Sequence, residues 1–134
     1  MDFYICAQDI GQLSLGLSDD THTFIEETFF ISPELYLKTM DSFFKKYQVA
    51  FHQIKRIVVV PGPGSFTASR VSVTIANTIA FAKRIPVVSV PNPNKYSLQG
   101  LFDRLKNETV QESAFALPLY DRPPMITQAK KYAC

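Results

Sequence analysis

The sequence predicts an α/β protein of one lobe, in which helices pack on a mixed five-stranded sheet in the chain order βββαβαβ. Residues 3–31 contain three short β-prone runs separated by polar turns, a pattern typical of an antiparallel meander. Residues 54–90 contain an apolar run, a long stretch without Gly or Pro, and a second apolar run. This second pattern is typical of a right-handed βαβ unit with two buried parallel strands.

Length and composition fit a single folded domain. The chain has 134 residues, of which 46% are hydrophobic and 19% are charged, and its formal net charge is +2. A chain of this length buries about two-thirds of its unfolded surface in one core. A net charge this small does not by itself indicate a nucleic-acid-binding protein.

Several classes of protein are not expected from this sequence. No run reaches the roughly 18–20 apolar residues of a membrane span, and the N-terminus lacks the basic lead and long apolar region of a signal peptide. Cys6 and Cys134 are expected to be reduced thiols of a cytoplasmic protein. His22 and His52 have no companion ligand at metal-binding spacing, so we predict no metal and no cofactor.

The elements follow one another in a clear order. The meander strands are predicted over 3–7, 13–17 and 21–31, where short apolar runs end at polar turns. The first helix is predicted over 33–47, with Ser32 as its N-cap. Its apolar side chains recur at spacings of three and four, at Tyr36, Met40, Phe43, Phe44 and Tyr47.

The βαβ unit and the residues after it complete the chain. A strand is predicted over 54–60, a helix over 66–83 and a strand over 85–90, and this order of elements is the arrangement of the ribonuclease H and actin-like half-domain. A further helix is predicted over 96–106, a polar loop over 107–114 and an extended, proline-rich segment over 116–127.

The loop Gly62-Pro63-Gly64-Ser65 allows two interpretations. A Gly-rich turn before a helix N-terminus favours phosphate. However, the loop lacks the Lys-Ser/Thr pair of a P-loop and the three glycines of a dinucleotide fingerprint, and Pro63 has no N–H to donate. The preferred interpretation is a tight corner, in which Ser65 or Thr67 caps the helix.

A second phosphate site is considered at Asp9 and Gly11, directly after the first strand. This segment is similar to the one with which actin-like phosphotransferases help to hold metal and phosphate. Gln12 and Leu13 follow in place of the small hydroxyl residues of those enzymes. We therefore expect a vestigial site, and a polar β-turn is the preferred interpretation.

The predicted helix over 66–83 has a face of small side chains, which recur every four residues. Such a face allows another helix backbone to approach closely. Bulkier apolar residues on the same helix are available to cover the sheet, so the small face either packs inside the domain or docks a partner. The small side chains of this face are Ala68, Ser72, Ala76 and Ala80.

The corner and its helix resemble the TsaB (YeaZ) family, which is needed for threonylcarbamoyladenosine synthesis on bacterial tRNA. The matches to the family signature Gly-Pro-Gly-Ser-Phe-Thr-Gly-x-Arg are Gly62, Pro63, Gly64, Ser65, Phe66, Thr67 and Arg70. The run ICAQD is similar to the end of the family's first strand. Ala68 and Ser69 depart from the signature, and the chain is considerably shorter than the two-lobed TsaB proteins.

The resemblance implies an actin-like N-terminal lobe over 1–92, a connecting helix and loop over 93–115 in place of a second lobe, and an extended tail over 116–134. It further implies a non-catalytic partner or scaffold in the tRNA-modification machinery. The helices over 33–47 and 66–83 would dock a TsaD-type catalytic subunit or a second copy of the chain. The residues predicted to contact this partner are Met40, Phe44, Ala68, Ser72, Ala76, Ile79 and Ala80. A TsaE-type ATPase is a further implied partner, and direct contact with tRNA is not part of the prediction.

Two other functions stay open at this stage. One is an enzyme, either an actin-like nucleotide-binding phosphotransferase or a peptidase-like protein. A single lobe provides only half of a nucleotide cleft, and no Ser-His-Asp or Cys-His set is evident as a motif. The other is a self-associating module with a different partner.

Overall fold

A mixed sheet of six strands runs through the part of the chain that the computed structural model describes, which is residues 1–106, 108 and 110–119. The strands are β1 (Asp2–Cys6), β2 (Leu13–Ser18), β3 (Phe24–Phe29), β4 (Arg56–Val60), β5 (Val87–Ser89) and β6 (Glu112–Ser113). Their order in space is β3-β2-β1-β4-β5-β6. β1 is antiparallel to β2 and parallel to β4, so the meander and the βαβ unit meet at this strand.

Among the described residues, three α-helices cover the two faces of the sheet. They are α1 (Tyr36–Lys46), α2 (Phe66–Lys83) and α3 (Leu98–Leu105). Because side chains of a strand alternate between faces, β1 contributes to both layers. Phe3 and Ile5 lie in the core beneath α1 and α2, and Tyr4 lies in the smaller core beneath α3. None of the helices among the described residues is long and apolar enough to cross a bilayer.

The α/β class and the predicted order of elements are confirmed, and the strand count is corrected from five to six. β6 lies in the segment predicted as a loop. Its two residues are polar and exposed, so no apolar period marked them in the sequence. They form a strand because Glu112 and Ser113 pair with Val88 and Val87 of β5.

The start of the first helix also differs from the prediction. Pro33–Leu35 form a turn of 3-10 helix, and the α-helix itself begins at Tyr36. Ser32 makes no capping hydrogen bond. Its hydroxyl instead hydrogen-bonds the exposed Glu34 carboxylate, which lowers the pKa of that group.

Residues 114–119 form an extended segment along α2. Asn77 holds it with both atoms of its amide, since Nδ2 donates to the Ala116 carbonyl (2.8 Å) and the Ala116 N–H donates to Oδ1 (2.7 Å). The Leu119 N–H donates to the Pro61 carbonyl (2.8 Å), at the end of β4. The remainder of the predicted tail, 120–134 with Cys134, lies outside the described residues.

Candidate functional site

Two buried amide side chains hold the loop between β4 and α2 against the end of β1. Gln8 Nε2 donates to the carbonyl oxygens of Pro63 (2.8 Å) and Asn92 (2.7 Å). Asn92 Nδ2 donates back to Gln8 Oε1 (2.9 Å). Gln8 is 5% exposed and Asn92 is 1% exposed. Because these amides bond each other and the loop carbonyls, they fix the corner from which α2 starts.

Both glycines of this corner are required by its geometry. Gly62 adopts a φ of 135°, a conformation that side chains with a β-carbon avoid, and an added Cβ would overlap the Leu119 carbonyl. Gly64 has an ordinary φ, but an added Cβ would overlap the Gln8 carbonyl oxygen. The Ser65 N–H donates to that same oxygen (2.6 Å), so the loop lies directly on the end of β1.

The corner directs its polar groups inward and leads straight into α2. Ser65 Oγ accepts from the Ala68 N–H (3.3 Å), which confirms Ser65 as the helix cap. The Ser65 N–H is already bonded to Gln8, and Pro63 has no N–H. Neither residue therefore has a free N–H to donate to a phosphate.

The second phosphate site is occupied by the chain's own groups. The Asp9 carboxylate forms an ion pair with Lys95 (2.8 Å), and the Gln12 N–H donates to the Asp9 carbonyl (3.2 Å) across the turn that contains Gly11. The N-terminus of α3 is close by. Its first two N–H groups donate to the carboxylate of Glu26, each at 3.1 Å.

Neither a thiolate nor a metal cluster is available near this turn. Burial raises the pKa of the Cys6 thiol to about 12, so the thiol is protonated at neutral pH. Within residues 1–106, 108 and 110–119, no group of three or more His, Cys, Asp or Glu side chains is arranged to hold a metal ion.

The small face of α2 lies inside the domain, which corrects the predicted partner contacts. Ala68, Ser72, Ala76 and Ala80 are almost inaccessible, as are Met40 and Phe44 of α1, and only Ile79 of the predicted set is partly exposed. Small side chains belong at this position because α2 lies flat on β4, where a larger side chain would push the helix away from the sheet.

The outer face of α2 is the surface that the same helix leaves exposed. Its accessible residues include Phe66, Thr67, Arg70, Thr74 and Thr78, and Phe66 is 46% exposed. A shallow concavity of about 380 Å³ lies on this face, lined by Phe66, Thr67, Arg70, Val71, Thr74 and Ile75.

The outer face is less polar than its sequence indicates. Thr74 Oγ1 donates to the Arg70 carbonyl (2.7 Å), and Thr78 Oγ1 donates to the Thr74 carbonyl (2.8 Å). These hydroxyls therefore bond the helix's own backbone. The Arg70 guanidinium lies over the Phe66 ring, 5.7 Å from its centroid. The spacing of three and four between these residues is the signal that could have identified this face.

Comparison with known proteins gives both a family and a fold. Residues 33–110 match the model of the TsaD family, described as tRNA N6-adenosine threonylcarbamoyltransferase, and this segment includes α1, the glycine corner and α2. No curated protein sequence matches the chain.

Two solved structures from Pseudomonas aeruginosa have a similar fold. One is YeaZ, and the other is an uncharacterized protein with similarity to the peptidase YeaZ. Each has a TM-score of 0.62 and 20% sequence identity, and each match covers 68% of this chain and 43% of the other. The chain therefore spans less than half the length of these relatives. The family match over residues 33–110 shows that the chain belongs to the TsaD family, and the two solved structures show that its fold is similar to that of YeaZ.

Proposed function

We propose that this protein is a non-catalytic, TsaB-like partner in the machinery that makes threonylcarbamoyladenosine on tRNA. In this proposal it docks a TsaD-type catalytic subunit through the outer face of α2. The observation that carries the proposal is the exposed, weakly polar face around Phe66, Val71 and Thr74, with its concavity of about 380 Å³. Exposed apolar surface of this kind is typical of protein–protein interfaces.

The glycine corner supports the proposal because it determines where this face points. The residues that match the TsaB signature build the corner and the first turn of α2. Gln8 and Asn92 hold that corner through buried hydrogen bonds. In addition, the 3-10 turn before α1 packs on α2, and its Leu35 is exposed.

The non-catalytic part of the proposal is supported by the state of the polar groups. Asp9 is paired with Lys95, and the N-terminus of α3 is capped by Glu26. Cys6 is a protonated thiol at neutral pH. A nucleotide or an acyl group would have to displace these partners before it could bind or react.

Thr74→Arg is the variant that tests the docking face. Thr74 is exposed at the concavity, so a long cation there is expected to leave the fold intact and to weaken association with a TsaD-type subunit at least tenfold, or about 1.4 kcal/mol. Sedimentation with and without that subunit measures association, and circular dichroism melting checks the fold. Sedimentation of the protein alone also shows whether a second copy of the chain occupies the face.

The matched control is Gln99→Arg, which adds the same side chain to the exposed surface of α3 on the other side of the sheet. It is expected to associate like the wild type. Normal association of Thr74→Arg would refute this docking face. Calorimetric binding of ATP at micromolar affinity by the isolated chain would refute the non-catalytic role.

A further inference from the structure

We propose that the end of the domain where α2 ends and β4 and β5 begin is a docking surface for single-stranded RNA. Phosphates would contact Lys55, Lys83 and Arg84, and a base would stack on Phe81. This inference rests on the proposed function, from which it takes tRNA as the molecule that the machinery modifies.

The fold brings these basic residues to one edge. Parallel strands β4 and β5 begin side by side, where the Ile57 N–H donates to the Pro86 carbonyl (3.0 Å). α2 runs back along the sheet and ends at the same edge. The Lys83 ammonium lies 5.5 Å from the centroid of the Phe51 ring, which places the last residue of α2 beside the turn that leads into Lys55.

The positive charge of this edge is uncompensated in the described part of the chain. Lys55, Lys83 and Arg84 are exposed, and none of them forms an ion pair with a described carboxylate. Such a cluster of cations is the usual contact for a phosphate backbone.

The nearby carboxylates are engaged or lie elsewhere. Arg56 Nη2 is 2.6 Å from Asp2 Oδ2, and its Nη1 is 3.6 Å from Glu112 Oε2, so the two carboxylates share one guanidinium. Glu112 also lines the groove beside the cations. With Lys55, Lys83 and Arg84, this edge still carries more positive than negative charge. Asp19 and Asp20 belong to the turn between β2 and β3, beyond β1 in the strand order. They do not lie between the three cations.

A groove beside the cations provides room for a base. It has a volume of about 820 Å³ and runs between the last turn of α2 and β6. Phe81 and Arg84 both line it, and Phe81 is 86% exposed. An exposed aromatic ring next to unpaired cations is the arrangement with which proteins bind single-stranded nucleic acids, since every base can stack and every linkage carries a charge.

Fluorescence anisotropy of a labelled oligoadenylate with the full chain tests the proposal. With three cations on phosphates, the affinity of the wild type is expected to fall about 70-fold between about 20 and about 150 mM KCl. Replacing all three cations, as Lys55→Gln, Lys83→Gln and Arg84→Gln together, is expected to remove most of this salt dependence. Phe81→Ala is expected to weaken binding about 5- to 150-fold at every salt concentration, without changing the dependence on salt.

The matched control is a triple variant with the same change in net charge elsewhere on the surface, Lys38→Gln, Lys45→Gln and Lys106→Gln, which is expected to bind RNA like the wild type. Melting temperatures check that each variant is folded. The proposal is overturned by absence of binding at low salt, by equal loss in the control, or by unchanged binding of Phe81→Ala. Binding to phosphatidylserine vesicles in place of RNA also overturns it.

The RNA-binding proposal and the docking proposal can be refuted separately. The RNA measurements use the chain alone, and the docking measurements use a TsaD-type subunit without RNA. If the chain does not bind RNA but Thr74→Arg weakens association with the TsaD-type subunit, only the RNA surface is refuted. If the chain binds RNA as expected but Thr74→Arg associates normally, only the docking face is refuted.

Discussion

The carboxamide of Gln8 shows, at the scale of a single residue, how one functional group determines a corner. Its nitrogen donates to the carbonyl oxygens of Pro63 and Asn92, at 2.8 and 2.7 Å. Its oxygen accepts from the amide of Asn92. A carboxylate in this place would face two carbonyl oxygens in a nearly inaccessible site, and its burial would be unfavourable.

Gln8→Glu is accordingly expected to destabilise the fold in a pH-dependent way. Burial and the two carbonyl oxygens raise the pKa of the introduced carboxyl above its ordinary value of about 4.3, because only the protonated form can donate a hydrogen bond. With a raised folded-state pKa, the variant is closest to wild-type stability below about pH 4. It loses stability as the pH rises through the folded-state pKa.

Urea unfolding of the wild type and of Gln8→Glu at several pH values between about 4 and 8 measures this difference. Gln8→Leu is the matched control, since it removes the same hydrogen bonds but cannot titrate. Its loss relative to the wild type should stay constant with pH. A pH-independent loss for Gln8→Glu as well would contradict the assigned donor role of the Gln8 nitrogen.

At the scale of the element, α2 has two faces of similar apolar character with different roles. Its small residues pack on the sheet, and its threonines face outward with their hydroxyls bonded to the helix backbone. A helix of this composition needs packing more than propensity for its stability, because β-branched residues are frequent in it. The inner face therefore stabilises the domain, and the outer face is available for association.

Ala76→Arg tests this assignment of the two faces. Ala76 is fully buried, so an arginine there introduces an unpaired charge and excess volume into the core. We expect a loss of at least about 3 kcal/mol in the free energy of unfolding, or failure to fold. Thr78→Arg on the exposed side of the same helix should change the free energy of unfolding by less than about 0.5 kcal/mol. Equal stability of the two variants in urea titrations would contradict the assignment of an inner and an outer face.

At the scale of the whole molecule, residues distant in sequence connect the layers. Arg56 joins β1 to β6 through Asp2 and Glu112. Glu26 joins β3 to α3 through the first N–H groups of that helix. Asn77 joins α2 to the extended segment 114–119. The short strand β6 and the segment after it are held on the domain by such side chains as well as by sheet pairing.

Asn77→Ala tests how much this last connection contributes to the stability of the whole domain. The variant leaves the N–H and the carbonyl of Ala116 without their partner, although Ala116 is buried. We expect a loss of about 1–3 kcal/mol in the free energy of unfolding and faster hydrogen exchange at the Ala116 amide. Thr78→Ala is the control, since it removes an exposed hydroxyl and methyl group and a hydrogen bond within the helix but no contact with residues 114–119. Unchanged stability and unchanged exchange in Asn77→Ala would show that this connection contributes nothing to the stability of the domain.

The features that depend on local sequence were predictable. The helix predicted over 66–83 has the observed bounds of α2, Phe66–Lys83, because a cap at Ser65 and the absence of Gly and Pro are local properties. The order of the strands along the chain was predictable from local apolar runs. The corner between β4 and α2 was predictable from Gly62 and Gly64.

The tertiary structure alone decided which face of α2 is buried, where β6 pairs, and what holds the corner. Gln8 and Asn92 are 84 positions apart in the sequence, and Asn77 and Ala116 are 39 positions apart, so no local sequence pattern predicts either contact. A small side chain such as Ala76 is compatible with close approach to a sheet or to a partner. Only the position of α2 over β4 determines which of the two it meets, because burial depends on all the chain that surrounds a residue.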